Sequence, residues 1–363
     1  MRLLYAMHVN WNWIRQRPHV LAEQLASNHA VELLHFRMFH SQHRAAEVPP
    51  PFTAHELQRL PERLKRLGRP LQVMNGAWLG HQVARRARSF GAEALWVTHP
   101  DLAPALRRLP SLPVIYDCMD DHAAFTEGGM QTVLTAEREL LERADLVIFS
   151  STTLAQRVRE RASVGRSLVI NNGVSGRLLA FPSLQIRQPP TSEGPILGYF
   201  GTISHWLDWP LVLEILEALP TARMLLAGPI EVPPPAHPRI VHVGVVPHAA
   251  LADFVTKCDA LIMPFIVNRL IRAVDPVKLY EYIAFGLPAL APRYPESERF
   301  APWVGLYGDA EEALSLLRQP ARLHDEAARR QFLARQTWEV RGAQVEEALR
   351  DLRARVPSTS VDQ

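Results

Sequence analysis

Short apolar runs alternate with segments of helical spacing along the first half of the chain. The apolar runs, which are typical of buried strands, span residues 2–7, 30–36, 94–100, 113–121, 144–151 and 167–174. Segments with apolar residues three or four positions apart span 18–28, 78–90, 130–143 and 152–162. Because strands covered by helices on both faces read as continuous apolar runs, this alternation predicts an α/β domain with a parallel sheet.

A second series of the same kind follows a polar, proline-rich stretch at 181–195. Its strand-like runs span 196–201, 222–228, 240–246, 260–265 and 288–292, and its helical segments span 209–218, 248–257, 276–285, 309–317 and 320–354. The pattern therefore predicts two doubly wound parallel-sheet domains, at 1–180 and 196–335, joined by a linker at 181–195.

The composition agrees with a two-domain protein of reduced, cytoplasmic type. The chain has 363 residues, of which 47% are hydrophobic and 21% charged. No apolar run approaches the roughly 20 residues of a membrane span. The opening "MRLLYAM" reads as a strand and not as a signal peptide. Cys118 and Cys258 lack metal-type spacing, so we expect neither a metal site nor a disulfide framework.

Positive charge is concentrated in the first domain, although the net charge of the chain is only +3. Residues 37–108 hold twelve Lys and Arg against five Asp and Glu. Within 57–90 these cations are interleaved with Leu, Trp78 and Phe90, which suits an anionic membrane surface. A nucleic acid or a solvated helix face would give a similar pattern. We expect a peripheral contact with the inner face of the cytoplasmic membrane, and no nucleic-acid partner.

Polar and aromatic residues follow the first strand of each series, where parallel sheets bind their ligands. After strand one, the stretch "HVNWNWIRQRP" offers Asn10, Trp11, Trp13, Arg15 and Arg17. Aromatic faces beside hydrogen-bonding groups suit sugar rings, because the rings stack while the hydroxyls pair. The alternative is that both Trp residues pack in a domain interface.

Two further strand ends in the first domain carry titratable groups. His99 ends the run "VTHP", and a lone histidine is more often structural than catalytic. Asp117, Asp120 and Asp121 crowd the end of "YDCMDD". They could bind a metal, orient sugar hydroxyls or cap the next helix, and capping explains only one of the three.

Glycine turns follow two strands of the second domain. Gly201 and Thr202 end "GYFGT", and Gly228 ends "LLAG". A residue without a side chain lets a phosphate or a sugar approach the backbone closely, although glycine turns are common in any fold.

The segment "DPVKLYEYIAFGLP" predicts a helix with an unusual charge near its start. Asp275 reads as the N-cap, and Gly286 marks the end of the helix. Lys278 then lies in the first turn, where the helix dipole disfavours a cation, and Glu281 follows one turn later. The simpler interpretation is a surface pair, which stabilises a helix by only about 0.2–0.5 kcal/mol.

Together, "WNWIRQRPH", "YDCMDD", "GYFGTI" with "WLD", and "DPVKLYEYIAFGLP" resemble glycosyltransferase family 4, especially bacterial transferases of the teichuronic-acid and capsule type. The resemblance reaches to about residue 350 and implies the GT-B fold, with two Rossmann-like domains facing across a cleft. It also implies that a C-terminal helix at 336–355, with Trp338, crosses back to the first domain.

The resemblance implies a role for each candidate residue. Glu281 would bind the nucleotide ribose and Lys278 the pyrophosphate. Family members often carry a second glutamate eight residues earlier, where this chain has Ala273, so Asp275 would take part of that role. Arg269 or Arg272, in the loop before the helix, would replace a basic pair that the family has after the glycine turn. The implied donor site is Gly201, Thr202, Gly228, Arg272, Asp275, Lys278 and Glu281; the acceptor site is Asn10, Trp11, Trp13, Arg15, Arg17 and Asp117; the catalytic set is His99, Asp120 and Lys278.

The activity implied is transfer of a hexosyl unit from a nucleoside-diphosphate sugar to a glycan or lipid-linked acceptor in cell-surface polysaccharide synthesis, with retention of configuration. No cofactor or metal is expected beyond the donor substrate. Two alternatives remain open: a nucleotide-sugar epimerase of the same fold, and a non-catalytic nucleotide-sugar-binding subunit of a polysaccharide assembly complex.

Overall fold

A computed structural model describes residues 1–37, 49–61, 68–124, 130–180, 194–318 and 326–355. The chain divides into two compact units, which we call unit 1 and unit 2. Unit 1 comprises Met1–Asn171 and Trp338–Gln363, and unit 2 comprises Asn172–Thr337. All but the last two residues of the predicted linker 181–195 lie outside the described residues.

Unit 1 is built on a parallel sheet of seven strands in the order β3-β2-β1-β4-β5-β6-β7. The strands are β1 (Arg2–Met7), β2 (Ala30–Phe36), β3 (Thr53–Leu57), β4 (Ala94–Val97), β5 (Val114–Cys118), β6 (Leu146–Phe149) and β7 (Ser167–Val169). Every residue of β4, β5 and β6 is buried, as expected for central strands covered on both faces.

The helices of unit 1 cover this sheet. They are α1 (Arg17–Ala26), α2 (Arg69–Phe90), α3 (Met130–Arg143), α4 (Thr152–Arg161) and, from the far end of the sequence, α10 (Trp338–Arg355). The last of these packs against α1 and adds Trp338, Val345, Leu349 and Leu352 to the core beneath it. A Cβ atom on Gly342 would lie 3.1 Å from the Gln24 side chain, so the two helices approach closely there.

Unit 2 repeats the architecture with six parallel strands in the order β10-β9-β8-β11-β12-β13. The strands are β8 (Ile196–Phe200), β9 (Arg223–Ala227), β10 (Ile240–His242), β11 (Ala260–Ile262), β12 (Ala289–Pro292) and β13 (Gly305–Tyr307). The helices are α5 (Trp209–Ala218), α6 (Leu251–Val255), α7 (Val277–Phe285), α8 (Ala310–Arg318) and α9 (Glu326–Ala334).

The predicted alternation of strands and helices is confirmed in both units. The structure adds two strands, β3 and β13, and divides the helical segment predicted at 320–354 into α9 and α10. Among the described residues, no helix is both long enough and apolar enough to cross a bilayer.

Candidate functional site

The helix α7 brings the unusual Lys–Glu pair to the carboxyl edge of the sheet in unit 2. It begins at Val277, with Pro276 as the N-cap, and ends at Gly286, whose φ of 75° suits a residue without a side chain. Lys278 therefore lies at the second helical position, in the first turn as predicted, among backbone N–H groups that have no partner within the helix.

Asp275 does not cap this helix, which corrects the sequence prediction. Its buried carboxylate accepts hydrogen bonds from the backbone N–H of Asn172 at 2.5 Å and from the hydroxyl of Tyr280, and it forms an ion pair with Arg299. The Asn172 side chain also donates to the carbonyl oxygen of Asp275, at 2.8 Å. Asp275 thus joins Asn172, which precedes it in the chain, to Tyr280 and Arg299, which follow it, and its predicted role at the donor site stays a prediction.

The Lys278 ammonium lies among aromatic rings and bare backbone. Its Nζ is 5.6 Å from the ring centre of Tyr199 and 5.5 Å from that of Phe265, within range of cation–π attraction. A Cβ atom on Gly201 would lie only 2.3 Å from Lys278 Cε, so a side chain there would displace the lysine. Within the described residues, Lys278 forms no ion pair.

Burial lowers the pKa of Lys278 below its ordinary value, and the charge of Glu281 raises it in part. Burial disfavours the charged form because the low-dielectric surroundings solvate a cation less well than water does. An anion bound beside the ammonium would offset this cost. The arrangement is therefore suited to an anionic ligand at the start of α7.

Two glycine turns lie beside this lysine, at the ends of β8 and β9. Gly201 and Gly228 have φ values of 135° and 136°, a region that side chains strongly disfavour. A Cβ atom on Gly228 would lie 2.1 Å from the Gly201 carbonyl oxygen, so the turns are in direct contact. The Tyr199 hydroxyl donates to the Thr202 carbonyl at 2.9 Å and fixes the first turn. The absence of side chains at both glycines therefore lets Lys278 lie against the first turn and lets the two turns pack together.

Glu281 has a partner that the sequence did not reveal. Its Oε1 lies 3.0 Å from Nε2 of His248, which is 33 residues away in the chain. The predicted residue Arg272 is exposed on the short 3₁₀ turn Ile271–Ala273 before α7. The structure thus gathers Lys278 and Gly201 directly, with Glu281 one turn further along the same helix.

In unit 1, Arg17 and Asp117 form a buried pair. The Arg17 guanidinium donates from Nε at 3.0 Å and from one terminal nitrogen at 2.9 Å to Asp117 Oδ1. Its other terminal nitrogen donates to the Ile170 carbonyl oxygen at 2.7 Å. Both side chains are almost fully shielded from solvent. The pair therefore joins the end of β5 to α1, and the predicted contacts of both residues with an acceptor stay predictions.

Asn10 and Trp11 are also turned into the protein. Asn10 Nδ2 donates to the Phe36 carbonyl oxygen at 2.9 Å, and the buried Trp11 packs edge-on against Phe52 with ring centres 5.4 Å apart. Both residues are therefore buried within unit 1, and their predicted contacts with an acceptor stay predictions.

Trp13 and Arg15 remain accessible at the same loop. Trp13 is partly exposed, and Arg15 is exposed and forms an ion pair with Glu23. Of the predicted acceptor residues, these two keep side-chain surface that a ligand could contact.

Three histidines meet at the carboxyl ends of β1, β4 and β5. The His99 ring centre lies 4.7 Å from that of His8 and 4.5 Å from that of His122. His99 Nδ1 accepts a hydrogen bond from the Asp101 backbone N–H at 3.1 Å, so the neutral ring carries its proton on Nε2. Burial lowers the pKa of His122 to about 4 and that of His8 well below its ordinary value. His122 was missed because only folding brings it beside His99.

Asp120 and Asp121 lie close to this cluster in the chain but differ in environment. Burial raises the pKa of Asp120 to about 6, with Arg17 opposing the shift. The carboxylate of Asp121 instead forms an ion pair with Arg161 at 3.1 Å. Across the residues that the structure describes, no group of three or more His, Cys, Asp or Glu side chains could hold a metal ion.

No family model matches the sequence. The chain is 28% identical over 246 residues to a Bacillus subtilis protein described as a "Putative teichuronic acid biosynthesis glycosyltransferase TuaH". That match covers 61% of this chain and 61% of the relative's length.

Similar solved structures cover almost the whole chain. The sucrose-phosphate synthase of Thermosynechococcus elongatus superposes with a TM-score of 0.73 at 17% identity, covering 98% of this chain and 100% of that one. HepE of Anabaena in complex with UDP superposes with a TM-score of 0.66 at 14% identity, covering 97% of this chain and 100% of that one. An Escherichia coli protein described as "Trehalose-6-phosphate", bound with UDP-2-fluoro glucose, superposes with a TM-score of 0.69 at 9% identity. It covers 97% of this chain and 99% of its own. The prediction of the GT-B fold, with two Rossmann-like parallel-sheet domains, is thereby confirmed, and the chain shares this fold with glycosyltransferases.

Proposed function

We propose that the protein transfers a hexosyl unit from a nucleoside-diphosphate sugar to a glycan or lipid-linked acceptor in cell-surface polysaccharide synthesis, with retention of configuration. Unit 2 would bind the donor and unit 1 the acceptor. The sequence similarity to a protein described as a teichuronic acid glycosyltransferase supports this reaction class, as do the UDP and UDP-sugar complexes of proteins with the same fold.

The observation that carries the proposal is the environment of Lys278. A partly buried cation at the start of α7 has aromatic rings on two sides and no carboxylate partner among the described residues. Helix N-termini bind phosphate through free N–H groups and the favourable end of the dipole. A diphosphate placed there would interact with both the ammonium and the N–H groups.

The same placement suggests how the chain would assist transfer. As the glycosidic bond breaks, negative charge grows on the departing nucleoside diphosphate, and Lys278 would stabilise it. His99, whose Nε2 can donate a hydrogen bond, and Asp120 would position substrate hydroxyls. We assign no general base, because retention of configuration in the family that the sequence resembles is not expected to need one.

Product analysis separates this proposal from its alternatives. The protein would be incubated with UDP-, GDP-, CDP- and dTDP-sugars, each with and without a membrane extract as the acceptor source. Transfer predicts acceptor-dependent release of nucleoside diphosphate and sugar incorporation into the glycan or lipid fraction. A changed sugar nucleotide formed without acceptor would identify an epimerase. Binding without any turnover would identify a non-catalytic subunit.

We also propose that α2 places unit 1 against an anionic membrane surface, where a lipid-linked acceptor resides. Val73, Met74 and Trp78 are 64%, 54% and 50% exposed, which is unusual for large apolar side chains on one helix. Exposed Arg85 and Arg88 continue the stripe that Met74 and Trp78 begin, and α2 contains no acidic residue. Apolar and basic side chains combined in this way suit an interfacial helix.

Vesicle flotation tests this contact. We expect the protein to float with vesicles containing phosphatidylglycerol and not with neutral vesicles, and to be released by salt. Trp78→Ser should reduce flotation. Val232→Ser, which removes an exposed apolar residue from unit 2, should not. Equal flotation of the wild type with neutral and anionic vesicles would contradict the proposal.

A further inference from the structure

The carboxylate of Glu281 is held by a histidine from another part of unit 2. His248 begins the 3₁₀ turn His248–Ala250, which follows β10, whereas Glu281 lies in the second turn of α7. The two side chains meet with His248 Nε2 at 3.0 Å from Glu281 Oε1. The exposed fractions are 50% for His248 and 15% for Glu281, so the histidine is at the surface and the carboxylate is mostly enclosed.

We propose that His248 is a positioning residue for the ribose of the nucleoside diphosphate, acting through Glu281. The inference rests on the proposed function of this site, in which Glu281 binds the ribose hydroxyls. It adds a residue from outside α7 that would set the orientation of the ribose-binding carboxylate before the ligand arrives.

Hydrogen-bond chemistry fixes the direction of this contact. An ionised carboxylate can only accept hydrogen bonds, so Nε2 of His248 must carry the proton. The bond therefore exists whether the histidine is neutral or charged, and it is stronger in the charged form. His248 can therefore hold the Glu281 carboxylate in place with or without a charge on its own ring.

The contact also leaves room for a ligand. A carboxylate offers about four lone-pair positions on its two oxygens, and His248 uses one position on Oε1. Glu281 Oε2 is then available to the two neighbouring hydroxyls of a ribose, each of which donates one hydrogen bond. A glutamate side chain has three rotatable bonds, and fixing them before binding reduces the entropy lost when the ligand binds.

A simple competition between His248 and the ribose is the opposing mechanism. If the ribose displaced His248 from Glu281, removal of the histidine would strengthen ribonucleotide binding. If His248 orients Glu281, its removal weakens binding, and only for ligands that have ribose hydroxyls. The two mechanisms therefore predict changes of opposite sign.

Calorimetry on His248→Ala, with a ribonucleoside diphosphate and its 2′,3′-dideoxy analogue, decides between them. Both ligands carry the base of whichever nucleoside diphosphate, UDP, GDP or CDP, the wild type binds most tightly. We expect His248→Ala to weaken ribonucleotide binding by about 3- to 10-fold, as for a net hydrogen bond, and to leave dideoxynucleotide binding unchanged. His248→Gln, whose amide can still donate to Glu281, should restore part of the loss.

His237→Ala is the matched control, because it removes a unit 2 histidine whose ring accepts from the Arg239 N–H. Unchanged or tighter ribonucleotide binding by His248→Ala would overturn the inference, and so would an equal loss for the ribo and dideoxy ligands. If the wild type bound none of the diphosphates, the proposed function itself would fail. That result is distinct from a failure of His248 alone, which requires a wild type that binds.

Discussion

Replacing Lys278 by Met separates the contribution of this residue to binding from its contribution to stability. Met is unbranched and similar in length, so it can fill the space between Tyr199 and Phe265 without a charge. A hydrogen bond to a charged group contributes about 1.5–3 kcal/mol, so we expect nucleoside diphosphate affinity to fall by roughly 10- to 150-fold. The bare nucleoside, which has no phosphate, should bind almost as before.

The Met variant should be more stable to unfolding than the wild type at neutral pH, although it binds nucleoside diphosphate less tightly. Burial lowers the pKa of Lys278 in the folded protein relative to the unfolded chain, so the charged form is a cost of folding at neutral pH. The wild type should therefore gain stability as pH rises from the folded pKa towards about 10.4, the unperturbed lysine value. The Met variant lacks this gain. Its advantage over the wild type should be largest at pH 7 and should narrow as pH approaches 10.

Calorimetry with the preferred nucleoside diphosphate and its nucleoside measures the first effect, and urea unfolding at pH 7 and pH 9.5 measures the second. Lys257→Met is the control, because Lys257 is an exposed lysine of the same unit. Two results would refute the reasoning: unchanged diphosphate affinity in Lys278→Met, or a loss of stability at pH 7. Unchanged affinity would mean that the Lys278 ammonium does not contact the phosphates of the ligand. A loss of stability would mean that the charge of Lys278 does not destabilise the folded protein.

Three further substitutions test other parts of the structure. Asp117→Ala should lower the free energy of unfolding by about 3–5 kcal/mol in urea titrations, because it removes the carboxylate that forms the buried ion pair with Arg17; a loss under 1 kcal/mol would contradict the role of this pair. Gly201→Ala should weaken nucleoside diphosphate binding in calorimetry, since its Cβ would displace Lys278, and unchanged affinity would show that the lysine position does not matter. Asp120→Asn should raise the melting temperature more at pH 7.5 than at pH 4.5, because the raised pKa of about 6 makes ionisation of Asp120 unfavourable to folding as pH rises; a shift independent of pH would argue against it.

The sequence predicts the fold well because its main signal is local. Continuous apolar runs marked the central strands, and their burial on both faces is the physical cause of those runs. The strand Thr53–Leu57 was missed because "TAHEL" is a polar edge strand with one buried residue. Gly305–Tyr307 was missed because three residues are too few to show a period.

In the candidate site, too, the local features could be predicted from the sequence and the long-range contacts could not. The placement of Lys278 and Glu281 on one helix could be read from the sequence, because glycine, proline and charge mark helix ends locally. The contact of His248 with Glu281 spans 33 residues, and that of Arg17 with Asp117 spans 100. Such contacts depend on how distant strands are ordered in a sheet, which no short pattern records.

The position of α10 has a consequence for how the protein is made. A ribosome completes all of unit 2 before it synthesises Trp338–Arg355, yet Trp338, Val345 and Leu349 belong to the core of unit 1. Domains generally fold during synthesis with the N-terminal one first. Here the first domain would wait, with the apolar surface of α1 uncovered, while the second emerges and folds. A nascent chain halted before residue 338 should therefore bind chaperones through unit 1, and the synthesis of α10 would be the step that releases them.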